Sequence, residues 1–244
     1  MKVVGVVQAR VGSRRLPAKV LRPICGRPMI LRIVDRLRFC TALDGLIAAI
    51  PDTRENNRLA VVLTPHVNVV RGPEDYLASR LLMATWGPDF GLPRADAIVR
   101  ITGDEPLIDP AIVDQVVAAW RDEPGRHYVS NVYPARSWPE GLDVELMTRE
   151  LLLERILRDP DPLAEGSPSE WIWRHPHLVP YALVSCGTGP SPLANLHWSV
   201  DTAEDLAGAN VVFSRLPEGF TTEEVLAEFG PMNLPEIAQV HVSG

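Results

Sequence analysis

"KVVGVVQARVGSRRLPAKVL", residues 2–21, decides the fold. Its first six residues, "KVVGVV", are almost wholly apolar and rich in valine. A run without polar alternation suits a strand covered on both faces, the situation of a parallel sheet flanked by helices. The polarity then reverses. Arg10, Arg14, Arg15 and Lys19 crowd the next stretch, with Gly12 and Pro17 among them. The whole chain carries a formal net charge of −7, yet residues 1–50 hold ten Lys or Arg against two Asp or Glu. Cations gathered after one strand repel one another unless an anion or carboxylates neutralise them. Gly12 lets backbone N–H groups approach an anion closely, and Ser13 adds a hydroxyl. Arg10 and Arg15 offer forked donors, and Lys19 a mobile point charge. The loop reads as a cradle for a compact polyphosphate. It is neither a Walker A loop, since Ala18 and Val20 flank the lysine, nor a GxGxxG turn.

Working outward, strand and helix patterns alternate to about residue 125. "GRPMILRIVDRLRF" sets Ile30, Ile33, Val34 and Leu37 at helical spacing, with Arg32, Arg36 and Arg38 expected on a solvated face. "LDGLIAAIPD" and "VNVVRG" read as strands, "PEDYLASRLLMATWG" as a helix, and "ADAIVRITGD" (95–104) as a buried strand ending in an acid. Asp109 with Pro110 signals the start of a helix striped by Ile112, Val113, Val116, Val117 and Trp120. This alternation predicts an α/β fold with a mainly parallel sheet. Ligands of such sheets bind beyond the carboxyl ends of the strands, where the cationic loop and the "TGD" turn both fall. Residues 126–196 read as an insertion in the same domain, with β structure interrupted by Pro134 and Pro139. "LHWSVD" (196–201) is expected to return as a strand, followed by a helix from "TAEDL".

Asp104 and Asp201 both end apolar runs and are candidates to share a hard cation such as Mg²⁺. Each has a plainer reading. Asp104 can be a turn aspartate, and Asp201 a helix N-cap with Glu204 completing a capping box. Cys25, Cys40 and Cys186 form no paired spacing and read as buried or idle thiols. His175 and His177 read as surface residues, and Trp171, Trp173 and Trp198 as packing groups. An acidic protein argues against general nucleic-acid binding. With no apolar run long enough to span a bilayer and no signal-peptide pattern, a cytoplasmic protein is expected.

Four motifs, "QARVGSRRLPAKVL", "VRITGDEPLIDP", "SNVYPARSWPEGLDVELM" and "HWSVDTAEDL", stand in the order seen in one family. The chain resembles cytidylyltransferases of the acylneuraminate and KDO type, in the SpsF-like spore-coat polysaccharide branch. The resemblance implies a Rossmann-like, GT-A-like nucleotidyltransferase sandwich with a small dimerising β insertion. It also implies CTP, Mg²⁺, and transfer of CMP to an acidic acceptor with release of pyrophosphate. The acceptor would be a sugar acid or a small phosphonate or carboxylate, and the protein a homodimer. By motif, Ala9, Arg10, Gly12, Ser13, Arg15 and Lys19 would hold CTP, and Asp104 and Asp201 the metal. Lys19, Arg10, Asp104 and Asp201 would be catalytic. Arg71 and Glu74, in "VVRGPEDYL", would line the cytosine pocket. Asn131, Gly141 and Asp143 would face the acceptor. Arg14 and Ala18 replace the Thr and Gly usual in SpsF-like loops, and "SEWIWRH" lacks the histidine of the corresponding family segment. The residues alone also leave room for a sugar-1-phosphate nucleotidyltransferase using another NTP, or a non-catalytic nucleotide-binding subunit.

Overall fold

A computed structural model describes residues 1–86, 94–123, 125–158, 167–187 and 191–242. The first apolar run forms β1 (Val3–Gln8) at the middle of a seven-stranded sheet. Its valines serve both faces: Val3 and Val7 join one buried cluster, Val4 and Val6 the other. That two-sided burial is why the strand shows no polar alternation. Gly5 lies against β4 (Gly45–Pro51), where a Cβ would stand 2.7 Å from the Leu46 side chain.

β1 pairs in parallel with β4 and with β6 (Ala97–Thr102), and β4 in parallel with β5 (Asn68–Gly72). On the far side β8 (Glu145–Thr148) runs antiparallel to β6, followed by β7 (Tyr128–Ser130) and β9 (Tyr181–Leu183). The sheet order is therefore β5-β4-β1-β6-β8-β7-β9. The described strands of the 126–196 stretch thus widen the main sheet. A small hairpin, β2 (Pro23–Ile24) with β3 (Arg27–Pro28), stands apart.

One face is covered by α1 (Met29–Leu37), α2 (Asn57–Leu63), α4 (Pro110–Asp122), α7 (Ala203–Arg215), α8 (Thr222–Phe229) and α9 (Leu234–Val242). The other is covered by α3 (Leu77–Met83), α5 (Arg149–Arg158) and α6 (Pro168–Arg174). No described helix is long and apolar enough to cross a membrane. Asp109 caps α4 as expected, accepting from Ala111 N–H, and also accepts from the Thr222 N–H and hydroxyl at the start of α8. One carboxylate thereby fixes two helix entries.

Two expectations change, for Arg36 and for 196–201. Arg36 is not on a solvated face: it is 3% exposed, donates to the Ile108 and Phe220 carbonyls, and stacks 3.8 Å over the Phe220 ring. Burial pulls its pKa down to about 10. An arginine can be drawn inward when carbonyls take its donors and a ring takes its face. Cys25 is exposed, whereas burial, with Asp114 and Asp109, pushes the Cys40 thiol up to about 12. Finally, 196–201 forms no strand. It makes a single bridge, Glu140 with His197, because a turn and the start of α9 border it in place of a second strand.

α7 and α9 meet at Gly208, where a Cβ would lie 1.9 Å from the Leu234 carbonyl oxygen. Gly208→Ala should lower the unfolding free energy by at least about 2 kcal/mol, since overpacking a tight contact typically costs 1–3 kcal/mol. A urea titration followed by circular dichroism reads this directly.

Candidate active site

The cationic loop leaves the carboxyl end of β1 and is held from beneath. Leu16 and Val20 are buried anchors, and the Val11 N–H donates to Asn56 Oδ1 at 3.1 Å. Ala18, at φ 53°, takes the left-handed conformation and turns the chain into Lys19. The "TGD" turn at the end of β6 approaches the same place. Gly103 lets it in: a Cβ there would stand 2.9 Å from the Ala9 Cβ.

Lys19 is the centre of the arrangement. Its Nζ donates to Asp104 Oδ2 at 2.6 Å and to Asp201 Oδ1 at 2.8 Å. Arg15 reaches the same Asp201 oxygen at 2.8 Å. The backbone helps assemble the trio, since the Val200 N–H donates to the Asp104 carbonyl at 2.8 Å. Burial opposes the charge on Lys19, but Asp104 and Asp201 overcome it and hold its pKa above the ordinary 10.5. Thr102 donates its hydroxyl to the second Asp104 oxygen.

The capping reading of Asp201 is replaced. The N-cap of α7 is Thr202 and the reciprocal partner is Asp205, in place of the Asp201–Glu204 pair expected from sequence. Asp205 Oδ2 accepts from the backbone N–H groups of both Asp201 and Thr202. With capping done one residue later, the Asp201 carboxylate is free for the site.

These residues enclose a cavity of about 550 Å³ lined by Ala9, Arg10, Gly12, Ser13, Arg14, Arg15, Lys19, Asp104 and Asp201. Gln8, Val20, Arg100, Thr102 and Gly103 complete it. A Cβ on Gly12 would meet nothing within 4 Å. A second cavity of about 360 Å³ adjoins it, sharing Arg15, Arg100, Thr102, Asp104 and Asp201, and extends to Glu105, Glu140, Asp143, Glu145 and Trp173.

Of the residues expected at an acceptor, the structure brings only Asp143 to this second cavity. Asn131 is fully buried, and both ends of its amide are engaged, with the Leu142 carbonyl at 2.7 Å and the Val144 N–H at 2.8 Å. Gly141, at φ +102°, permits a close backbone crossing, since a Cβ would lie 2.4 Å from the Ser199 nitrogen. Both shape the turn that carries Asp143, which pairs with Arg136. Arg71 and Glu74 line neither cavity. Arg71 pairs with Asp52 at 2.9 Å and donates to the Thr53 carbonyl at 2.9 Å, while the Glu74 carbonyl accepts from Arg80. Among the tryptophans, Trp198 is fully buried and Trp171 nearly so, but Trp173 is 38% exposed at the second cavity. His177 is exposed, and His175 is half-buried against the Trp171 ring.

Arg100, Gln8 and Glu105 were not singled out from sequence, although Arg100 interrupts the apolar run "AIVRIT". Arg100 donates to Gln8 Oε1 at 2.7 Å and pairs with Glu145. Glu145 also accepts from the Tyr128 hydroxyl, which accepts from Trp173 Nε1 at 3.2 Å. A buried polar chain thus runs from the floor of one cavity to the wall of the other. Burial raises the Glu105 pKa well above its usual value, with Asp143 and Asp104 adding to the shift.

With this geometry in view, comparison with known proteins is decisive. The cytidylyltransferase family profile matches residues 4–157. The chain belongs to the cytidylyltransferase family. It is 35% identical over 118 residues to the 3-deoxy-manno-octulosonate cytidylyltransferase of Nitratidesulfovibrio vulgaris, covering 48% of this chain and 46% of that protein. The match therefore spans about half the length of such curated relatives. The spore coat polysaccharide biosynthesis protein SpsF of Bacillus subtilis is 27% identical over 222 residues, or 87% of each chain. A solved cytidylyltransferase from Leptospira borgpetersenii superposes with a TM-score of 0.83 at 24% identity, covering 98% of this chain and 97% of that one. The last comparison identifies the fold: the Rossmann-like sandwich of the nucleotidyltransferases.

Two measurements test the site's physics. Asp201→Asn should leave the melting temperature within about 2 °C of wild type, whereas Thr202→Ala should lower stability by about 1 kcal/mol through the lost cap. Because folding raises the Lys19 pKa, its contribution is full below the unfolded value near 10.5 and is lost as pH climbs through the folded value. Stability measured between pH 9 and 12 should therefore fall more steeply in wild type than in Lys19→Met.

Proposed function

We propose that this cytidylyltransferase takes CTP into the first cavity and transfers CMP to an oxygen of a small acidic acceptor in the second, releasing pyrophosphate. The observation that carries this is the convergence of Asp104 and Asp201 on one ammonium, at 2.6 and 2.8 Å, on the wall of a cavity lined by four loop cations. Carboxylates this close repel unless a cation sits between them.

Their chemistry fits a divalent ion. Hard carboxylate oxygens suit Mg²⁺, which is commonly held by one or two carboxylates together with substrate phosphates. Asp104 and Asp201 would hold it, and the ion would neutralise charge on the phosphate oxygens. The chain's own groups do the rest. Arg10, Arg14 and Arg15 supply forked donors to the triphosphate, with Ser13 and the backbone near Gly12 completing the cradle. Lys19 lies where it can exchange a carboxylate for a phosphate oxygen and stabilise charge as pyrophosphate departs. Asp143 and Trp173 border the space where the acceptor oxygen approaches the α-phosphorus in line. Holding both reactants in adjoining cavities converts an encounter into a positioned reaction. An acceptor that reacts through an anionic oxygen has no need of a separate base.

Purified protein supplied with each of the four NTPs and a panel of sugar acids and phosphonates should release pyrophosphate with CTP in preference to the others. Asp104→Asn should lower kcat by about 10²–10³, the usual loss when one charge-stabilising contact is removed, without altering the circular dichroism spectrum. Equal release with all four NTPs, or a near-normal rate in Asp104→Asn, contradicts the reading.

A further inference from the structure

The second cavity has the wrong charge for a plain anion. Seven carboxylates and two arginines line it. Subtracting the pairs already satisfied sharpens the picture. Glu145 is held by Arg100, Asp143 by Arg136, and Asp104 and Asp201 by Lys19 and Arg15. Glu170 is held by Arg174 at 3.0 Å, and among the described residues Glu140 pairs only with His197, at 3.3 Å. Glu105 has no ion pair among the described residues, is 4% exposed, and leaves its Oε2 atom without a hydrogen-bond partner. A buried carboxyl oxygen without a hydrogen-bond partner is costly, and a donor supplied there relieves that cost.

A bare metal ion does not fit this end of the cavity. Among the described residues, no three His, Cys, Asp or Glu side chains converge closely enough to hold one. A donor carried on a larger frame suits this end of the cavity better. Trp173, stacked on Tyr133 with ring centroids 5.8 Å apart, adds an aromatic wall against which such a frame or a cation can pack. The volume, about 360 Å³, is that of a small-molecule site.

We propose that the acceptor is a small acid that also bears a protonated amine, its ammonium received by Glu105 and Glu140 beside Trp173. This rests on the transfer reading above and narrows its acceptor class. The acid end belongs near Arg15 and Lys19, and the ammonium end at the carboxylates that have no lysine or arginine partner among the described residues.

The test uses two matched pairs of acids differing in one group: D-glucosaminate against D-gluconate, and 2-aminoethylphosphonate against 2-hydroxyethylphosphonate. Binding to the full chain is measured by calorimetry at pH 7, with CTP affinity measured separately. In at least one pair the amine should bind at least tenfold more tightly than the hydroxyl. Glu105→Gln should reduce that preference at least fivefold. Should Glu105→Gln fold poorly, Glu140→Gln, on a half-exposed side chain, should still reduce it. Hydroxyl members binding as tightly as amines in both pairs, a preference untouched by both substitutions, or CTP binding without binding of any of the four acids would overturn the proposal. Failure to bind CTP would instead strike the transfer reading, and the amine preference would still be read from the acids alone.

Discussion

A single ammonium organises this protein's business end. Lys19 joins a loop that follows the first strand to two carboxylates 85 and 182 positions further along the chain. Remove that positive charge and Asp104 and Asp201 face each other across a partly buried site, with Arg15 and the His197 ring reaching Asp201 alone. Charge pairs of this kind contribute modestly to stability, because desolvation offsets much of the attraction. Their importance here is geometric. They hold the loop, the end of β6 and the start of α7 in one orientation before any ligand arrives.

The surrounding fold is arranged so that this convergence is possible. β1 and β6 are adjacent and parallel, so the loop after one and the acid after the other leave the sheet at the same edge. Gly103 and Gly141 remove side chains where backbones must pass close by, the first against Ala9 and the second against Ser199. The capping box of α7 lies one residue beyond Asp201, so helix initiation and the site draw on different carboxylates.

Much of this was legible in the residues. The apolar runs of β1, β4 and β6 announced a two-sided parallel sheet, and the clustered cations marked the loop that the fold sets beside Asp104 and Asp201. What escaped notice depended on distant partners. Nothing near Arg36 in the chain foretells the carbonyls of Ile108 and Phe220 that draw it inside. Asn131 was placed at the acceptor by the family resemblance, and its bonds to Leu142 and Val144 close a turn that only the folded chain reveals. The failed strand at 196–201 has the composition of a buried strand, but strand formation needs a neighbour, and the neighbours there are a turn and a helix start. Arg100 was the one signal in plain view, a charge inside an apolar run.

Ala18 carries a final implication. An L-residue in the left-handed region is disfavoured by about 1–2 kcal/mol, a strain that glycine would escape. Glycine would also widen the range of shapes open to the loop. By keeping a methyl group at φ 53°, the chain accepts a small enthalpic burden and gains a stiffer hinge just before Lys19. A loop so restrained loses less freedom when it is ordered around any bound group, and rigidity of that kind favours discrimination between ligands over accommodation of many.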